Sequence, residues 1–346
     1  MQITTQMQIT TFNGNYFEVG KQLGKIYKKN GMNLKAVKVN KELLDNQRAI
    51  YKKYFPGILE ELKGINEILK IDEDKLLFFF LAGELDWFRK AYAAKACTIF
   101  GVKNKEGLFV GRNYDWLKST EDFFKIYKVV TPKKNKYLSI TDMGVYSSKS
   151  DPGFLVYNED DAINDKGLFI GLDFALMNKW NYGLRPAHMI KLIAENCETV
   201  DDALEIFKKV PLCYPKFFFI ADKLGKMAVV EHDSKKATVR KPTDDVLIMT
   251  NHFVDKKLKE EDQIFIKYPK HNTRLRYEEI GQKIESKKEN FKFSDIIGIL
   301  GDPKSHTCQD KYGIRSIWSL SLDMSKKRYK LIYNLFGDRK EIDLDI

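Results

Sequence analysis

The spacing of apolar residues changes once along this chain, close to residue 95. Between about residues 15 and 94, apolar residues recur every three or four positions, in the segments FEVGKQLGKIYKKN, LKAVKVNKELLDNQRAIYKKY, GILEELKGINEILK and DEDKLLFFFLAGELDWFRKAY. This spacing is typical of amphipathic helices. After Cys97 the spacing becomes two, in short runs that include CTIFGV, LFVGRNYDW, LFIGLDFAL, FFFIAD, MAVVEHD, VLIMTNHF and IRSIWSLSLDM. We therefore expect a helical N-terminal region followed by a strand-rich region.

Helical segments interrupt the strand-rich region in two places. They are the pair RPAHMIKLIAENC and TVDDALEIFKKV, and later RLRYEEIGQKIESKK with FSDIIGILGD. Many short strands with a few grouped helices predict an α+β fold, in which two antiparallel sheets pack face to face and the helices lie outside them. With 346 residues, 43% of them hydrophobic, the chain is long enough to bury such a core.

Charge and terminal sequence argue against several other classes of protein. The formal net charge is +11, but the lysines are spread among acidic residues, as in KEEDQ and KKEN, and no helix-turn-helix, zinc or RNA-binding signature accompanies them. We expect a solvated lysine-rich surface and no nucleic-acid partner, and a basic nucleic-acid-binding protein is the weaker alternative. The start MQITTQMQITTFNG lacks the parts of a signal peptide, and no run approaches the roughly 18 apolar residues of a membrane span. These features predict a cytoplasmic protein that does not bind membranes.

The cysteines are sparse and widely separated. Cys97, Cys197, Cys213 and Cys308 form no CxxC pair and lack the density of a disulfide scaffold, so free thiols are expected. A lone cysteine is usually a small buried hydrophobe, and this interpretation suits Cys197, Cys213 and Cys308.

Cys97 has a different context, within AKACTIFGVKNKEGLFVGRNYDW. It begins the first predicted strand, KNKEG is a plausible turn, and the returning strand carries Arg112 and Asp115. Neighbouring strands lie about 4.8 Å apart, so a thiol, a guanidinium and a carboxylate are expected to converge. A nearby cation favours the thiolate, which is the nucleophilic form of cysteine. The alternative is that Arg112 and Asp115 form only an ion pair at a strand end.

A base for Cys97 is missing from the sequence, because none of the five histidines is tied to it by a recognisable motif. Cleavage of the Ala96–Cys97 bond would supply one. The new α-amino group would have a pKa of about 7.7 to 8.0 and could accept the thiol proton at neutral pH. Cys97 would then be both nucleophile and base.

Two segments resemble motifs of the N-terminal nucleophile hydrolases: Cys97-Thr98 and Gly111-Arg112-Asn113-Tyr114-Asp115. Within that class the chain is similar to the choloylglycine hydrolase and penicillin V acylase group, and most of all to the acyl-coenzyme A:6-aminopenicillanic acid acyltransferase-like branch. The helical leader resembles the propeptide of that branch. The resemblance implies a helical propeptide over residues 1–96 and, over residues 97–346, a catalytic domain built as a four-layer αββα sandwich of two antiparallel sheets.

The same resemblance suggests further site residues. VLIMTNHF is similar to the segment whose asparagine helps to form the oxyanion hole, here Asn251; the alternative is that Asn251 only caps or turns the chain. A chain that makes its own amine does not require His252 as a base, so His252 is expected to be a pocket wall or a structural residue. HNTRLRYEEI resembles the stretch that contributes a second active-site arginine; the resemblance favours Arg274 over Arg276, although the sequence leaves the choice open. NDKGLFIGLDF has Asp173 where bile-salt-type relatives have asparagine. An ionised carboxylate donates no hydrogen bond, so only a backbone N–H near Asp173 is expected to stabilise an oxyanion.

The resemblance implies an autoprocessed cysteine amidohydrolase with no metal and no cofactor. The Cys97 thiol would first attack the Ala96 carbonyl and release residues 1–96, and the mature enzyme would then cleave a linear amide of a small N-acyl substrate through a Cys97 thioester. Transfer of the acyl group to an amine is a variant of this chemistry. A catalytically silent binding protein of the same fold is the main alternative. The oligomeric state is open, and a homo-oligomer is compatible with the sequence.

Overall fold

Two β-sheets face one another in this protein and carry helices on their outer sides, as seen in a computed structural model that describes residues 8–83, 85, 96–143, 146–148, 151–154 and 156–346. Three clusters of buried apolar side chains separate the layers. One lies between the first sheet and its helices, one between the two sheets, and one between the second sheet and the helices near residues 280 and 296. The expected α+β fold of four layers is therefore confirmed.

The first two helices begin where a side chain satisfies a free backbone N–H group of the first turn. The Asn15 side chain accepts from the Glu18 backbone N–H, and the Glu18 side chain accepts in return from the Asn15 backbone N–H. The second helix was expected to begin near residue 34, but it begins at Lys41, because the Asn40 side chain accepts from the Leu43 N–H and caps it there. The described α-helices are α1 (Tyr16–Lys29), α2 (Lys41–Tyr54), α3 (Pro56–Leu69), α4 (Glu73–Phe78), α5 (Pro186–Asn196), α6 (Val200–Lys209), α7 (Ile264–Lys267), α8 (Thr273–Glu285) and α9 (Phe293–Leu300).

A short π-helix, Phe79–Gly83, follows α4. The rest of the helix expected for DEDKLLFFFLAGELDWFRKAY falls on residue 84 and residues 86–92, which lie outside the described residues. Over the described part of the chain, no helix is both long enough and apolar enough to cross a membrane.

The strands form two large sheets and one small one. The first sheet has the order β1-β4-β5-β8-β9-β10-β11-β12, and the second has the order β13-β2-β3-β15-β16-β17, with β14 paired to β15; β6 and β7 pair separately. The strands are β1 (Thr10–Asn13), β2 (Thr98–Asn104), β3 (Gly107–Leu117), β4 (Lys125–Val130), β5 (Tyr137–Thr141), β6 (Tyr146–Ser148), β7 (Asp151–Phe154), β8 (Asp161–Asn164), β9 (Leu168–Phe174), β10 (Lys216–Asp222), β11 (Met227–His232), β12 (Ala237–Arg240), β13 (Val246–Met249), β14 (Asp310–Lys311), β15 (Ile314–Asp323), β16 (Arg328–Tyr333) and β17 (Lys340–Asp343).

The described residues before Cys97 are built into the fold. Strand β1 pairs in parallel with β4 at the edge of the first sheet, whereas the other strand pairs described in that sheet are antiparallel. Residues of α1 to α3 share one buried cluster with residues of α5 and α6. Four residues are too few for an alternating pattern to identify β1 in the sequence. A boundary at residues 96 and 97 therefore separates two parts of one packed structure.

The hairpin of β2 and β3 positions the functional residues. Thr98 pairs with Asn113 and Ile99 pairs with Arg112, so the expected hairpin is present, with Lys105 and Glu106 as its loop. Alternate side chains point to opposite faces of a strand. Cys97, just before β2, belongs with the side chains between the two sheets, whereas Phe100 and Phe109 belong with those that pack on α8 and α9.

Candidate active site

Cys97 lies at the start of β2 with its side chain fully buried between the sheets. Its Sγ is 3.9 Å from the carbonyl oxygen of Asp115, to which the thiol can donate a weak hydrogen bond. The preceding residue is held on both sides. The Ala96 N–H points to the Asp115 carbonyl oxygen at 3.5 Å, and the Ala96 carbonyl accepts from Gln309 Nε2 at 3.1 Å. The peptide bond between Ala96 and Cys97 thus has a fixed position.

Arg112 is fully buried and pairs with Asp161, a residue that the sequence analysis did not single out. Its Nε lies 3.0 and 2.9 Å from the two carboxylate oxygens of Asp161, and Trp318 Nε1 donates to the same carboxylate at 2.9 Å. Gly171 makes this pair possible, because a Cβ there would lie 2.6 Å from Asp161 Oδ1. Burial alone would lower the pKa of Arg112, but the Asp161 carboxylate, together with Cys97 and Asp173, outweighs burial and raises it. The guanidinium therefore remains charged beside Cys97.

Asp115 lies near the end of β3, and its carboxylate is fully buried. Ser316 Oγ donates to its Oδ1 at 2.5 Å, and Gln309 Nε2 donates to its Oδ2 at 2.7 Å. Burial raises the pKa of Asp115, while Arg276 and the two hydrogen-bond donors oppose the rise, so that the pKa is about 6. The carboxyl group is thus ionised at neutral pH and takes up a proton in mildly acidic solution.

Asn251 and Arg276 connect Cys97 to a second strand end. Asn251 follows β13, and its Oδ1 accepts from Arg276 Nη2 at 2.7 Å. Arg276 Nη1 donates to the Cys97 carbonyl oxygen and, at 2.7 Å, to Thr98 Oγ1. Burial lowers the pKa of Arg276, which Asp115 and Asp173 oppose. One guanidinium thereby fixes both the cysteine backbone and the asparagine amide.

Asp173 lies at the other end of the Asn251 side chain. Its Oδ1 accepts from Asn251 Nδ2 and, at 2.7 Å, from the Phe174 backbone N–H. Its Oδ2 is buried and has no hydrogen-bond partner among the described residues. Burial raises the pKa of Asp173 to about 6, against the lowering effect of Arg112 and Arg276. In this state the Asp173 carboxylate occupies the Asn251 amide, which was expected at an oxyanion, and the Phe174 N–H, which is a backbone N–H near Asp173.

Arg274 and His252 do not reach Cys97 through any hydrogen bond in the described chain. The Arg274 guanidinium lies over the Phe265 ring, 4.1 Å from its centre. The two residues contribute, with Tyr277 and Lys259, to an open pocket of about 210 Å³. The arginine that contacts Cys97 is therefore Arg276. The family resemblance had favoured Arg274 instead. Residues two apart on a helix point to opposite sides, so α8 cannot direct both toward the cysteine.

The helical spacing of the sequence distinguishes Arg276 from Arg274. Arg276, Ile280 and Ile284 are spaced four apart and all three are buried on α8, whereas Arg274 is exposed. A guanidinium on the apolar stripe of a helix points into the protein. Asp161 and Gln309 offered no comparable signal, because they meet Arg112 and Asp115 only through long-range packing.

His252 is bonded to two threonines. Its Nδ1 lies 3.1 Å from Thr250 Oγ1 and 3.0 Å from Thr273 Oγ1. Burial, followed by nearby cations of which Arg276 is the strongest, lowers the pKa of His252 to about 3. A neutral imidazole of this kind is a weak base. Among the described residues, no cluster of three or more His, Cys, Asp or Glu side chains is placed to hold a metal ion.

The fold and the buried site define the class of protein. A structural comparison finds penicillin V acylase from Agrobacterium tumefaciens, with a TM-score of 0.51 and 16% identity, over 72% of this chain and 86% of that one. It also finds a variant of the conjugated bile acid hydrolase from Clostridium perfringens, with a TM-score of 0.51 and 15% identity, over 71% of this chain and 92% of that one. The chain therefore has the N-terminal nucleophile hydrolase fold.

A family model gives the narrower assignment. The model for acyl-coenzyme A:6-aminopenicillanic acid acyl-transferase matches residues 102–336, and the chain belongs to this family. The match includes Arg112, Asp115, Asp173, Asn251 and Arg276, but it begins after Cys97. A comparison with curated protein sequences found no significant match.

Proposed function

We propose that this chain is an enzyme that cleaves a linear amide or transfers its acyl group, and that Cys97 becomes its nucleophile through cleavage of the Ala96–Cys97 bond. The observation that carries the proposal is the convergence of Arg112, Asp115 and Arg276 on one internal cysteine, with Gln309 at the carbonyl of the peptide bond before it. A cysteine kept only as a core residue needs no buried guanidinium at its carbonyl. Membership of an acyltransferase family supports the same type of reaction.

Self-cleavage gives the reacting cysteine a base. Before cleavage, the Cys97 nitrogen is an amide whose lone pair is delocalised and cannot accept a proton. After cleavage it is an amine with a pKa of about 7.7 to 8.0, close enough to take the thiol proton. Asp115 then lies beside a cation rather than an amide, and its ionised carboxylate stabilises the ammonium form that arises during attack.

The acyl step uses the groups around Asn251. The thiolate attacks the substrate carbonyl carbon, the carbonyl electron pair moves to oxygen, and Asn251 Nδ2 is the proposed donor to this oxyanion. Asp173 holds that donor in the unreacted chain, so the oxyanion has to replace a carboxylate of pKa about 6 as its partner. The α-ammonium returns its proton to the leaving amine, and an acyl thioester remains on Cys97. Water then releases an acid, or a second amine takes the acyl group.

Intact-mass measurement and an amidase assay test the proposal together. Wild-type protein should yield two polypeptides, residues 1–96 and 97–346, and should hydrolyse members of a panel of N-acyl amides. Cys97→Ala should remain one chain and be inactive, whereas Cys197→Ala, which removes another buried thiol, should behave as wild type. Wild-type protein that stays a single chain, resists alkylation at Cys97 and cleaves no amide would instead indicate a silent binding protein.

A further inference from the structure

The amide of Gln309 has a single possible orientation, because all three of its polar contacts are specific. Nε2 donates to the Ala96 carbonyl at 3.1 Å and to Asp115 Oδ2 at 2.7 Å, and both partners can only accept. Oε1 accepts from Asn272 Nδ2 at 3.1 Å. Asn272 is itself oriented, since its Oδ1 accepts from Arg276 Nε at 3.0 Å. A chain of hydrogen bonds thus runs from Arg276 through Asn272 and Gln309 to the bond that would be cleaved.

We propose that the Gln309 side-chain amide is the oxyanion donor for self-cleavage at Ala96–Cys97, an inference that rests on the proposed function. The donor already lies at hydrogen-bond distance from the carbonyl oxygen on which negative charge develops. Asn251 is committed to Asp173 and to the Phe174 carbonyl, and it makes no described hydrogen bond to Ala96. Self-cleavage and substrate turnover would therefore use different oxyanion donors within one site.

Self-cleavage begins when Cys97 Sγ bonds to the Ala96 carbonyl carbon and the π electron pair moves to the oxygen that Gln309 holds. When the intermediate collapses, the carbon–nitrogen bond breaks, and the Cys97 nitrogen takes up the proton that left the thiol. An Ala96 thioester and a free α-amine result. One water molecule then hydrolyses the thioester, which gives an Ala96 carboxyl group and restores the Cys97 thiol.

Backbone hydrogen bonds hold the loop around Gln309. The Gln309 N–H donates to Ser316 Oγ at 3.0 Å, and the Gln309 carbonyl accepts from the Ser316 N–H at 2.8 Å. A change confined to the side chain leaves these bonds in place. The side chain contributes a donor to Ala96, and removal of one oxyanion donor slows a reaction by about 100- to 1000-fold.

Gln309→Met tests the proposal, because methionine has a similar length and no N–H donor. Each protein is synthesised in a cell-free system, and the intact mass of the full chain is followed over time. Gln309→Met should cleave about 100- to 1000-fold more slowly than wild type. The matched control Gln263→Met changes another half-buried glutamine, whose amide reaches only the Glu261 carbonyl at 3.4 Å, and it should cleave at the wild-type rate.

Gln309→Glu provides an independent measurement if the methionine variant folds poorly. A protonated glutamic acid can donate to the Ala96 carbonyl and an ionised one cannot. The cleavage rate of this variant, relative to wild type at the same pH, should therefore rise as the pH falls. Wild-type cleavage with an unchanged rate in Gln309→Met, or a flat pH ratio in Gln309→Glu, overturns the role of Gln309. A wild-type chain that never cleaves overturns the proposed function instead.

Discussion

Two clusters of buried charged side chains differ in what they surround. One lies around the thiol of an internal cysteine and the peptide bond before it, and the other joins the helices before Cys97 to the first sheet and its helix α5. Every member of both clusters is buried. The two are the active-site cluster (Arg112, Asp115, Asp161, Asp173 and Arg276) and the interface cluster (Glu61, Glu159, Lys191 and Glu195).

The balance of charge separates the two clusters. The active-site cluster sets two guanidiniums against three carboxyl groups, and guanidiniums keep their charge. The interface cluster sets one ammonium against three carboxyl groups: Lys191 pairs with Glu61, while Tyr16 donates to Glu195 at 2.5 Å and Tyr137 donates to Glu159 at 2.9 Å. Burial of charge alone does not identify a catalytic site. The proposed site differs in having a cysteine thiol among its bonded partners, whereas the interface cluster is suited to holding two segments together.

The largest expected effect distinguishes two neighbouring arginines. Arg276→Ala should abolish measurable turnover and lower the free energy of unfolding by about 3–5 kcal/mol, because it leaves buried partners of a charge unpaired. Arg274→Ala removes an exposed side chain that lies on Phe265 and should leave turnover within about threefold of wild type, as is usual for surface changes. Amidase assays and urea unfolding measure both effects. Equal losses in the two variants would contradict the assignment of Arg276 to the site.

The second prediction concerns the pH dependence of catalysis. Burial raises the pKa of the Asp115 carboxyl to about 6 in the uncleaved chain, so this group is ionised at neutral pH, and the α-ammonium formed by cleavage favours the ionised form further. Turnover should fall as the pH drops through the pKa of the α-amine, about 7.7 to 8.0, because the protonated amine cannot take the thiol proton. Asp115→Asn should lower kcat/KM by roughly 100-fold or more, as expected when a group that orients a general base is lost, and should move this acid limb to lower pH, because the ammonium loses its carboxylate partner. A variant that loses stability and activity in proportion would support the ion-pair interpretation.

The sequence was sufficient for those parts of the fold and site that depend on local pattern. Alternating apolar residues predicted β2 and β3, and KNKEG predicted the turn between them. Strand β1 was missed because its position depends on β4, more than a hundred residues away. Gln309 meets Asp115 across 194 positions of sequence, and no local rule relates such residues. Long-range packing therefore decided which polar groups surround Cys97.

The third prediction tests the interface cluster. Lys191→Met leaves three buried carboxyl groups without their cation and should lower the free energy of unfolding by about 3–5 kcal/mol. Lys226→Met removes an exposed partner of Asp201 and should cost less than about 1 kcal/mol. Both changes are made in Cys97→Ala protein, so that each sample is a single chain during urea unfolding. If the two lysine variants unfold at the same urea concentration, the interface cluster does not stabilise leader docking.

The smallest expected effect is a change in stability with pH that belongs to the interface cluster alone. Burial raises the pKa of Glu195 to about 7, with Lys191 and the Tyr16 hydroxyl opposing the rise and Glu61 and Glu159 adding to it. The ordinary pKa of a glutamate is about 4.5, so the unfolded chain releases this proton above about pH 4.5. The folded protein keeps the proton on Glu195 up to about pH 7. A group that binds its proton more tightly in the folded state contributes stability that is lost as the pH rises through this range.

Other groups titrate as well, so the informative quantity is the difference in unfolding free energy between wild type and Glu195→Gln, both in Cys97→Ala protein. That difference should shift against wild type as the pH rises from about 4.5 to 7 and level off above 7, because glutamine does not titrate. A difference that stays constant over this range would show that Glu195 is already ionised in the folded protein. The interface cluster would then keep its carboxyl groups charged, as the active-site cluster does.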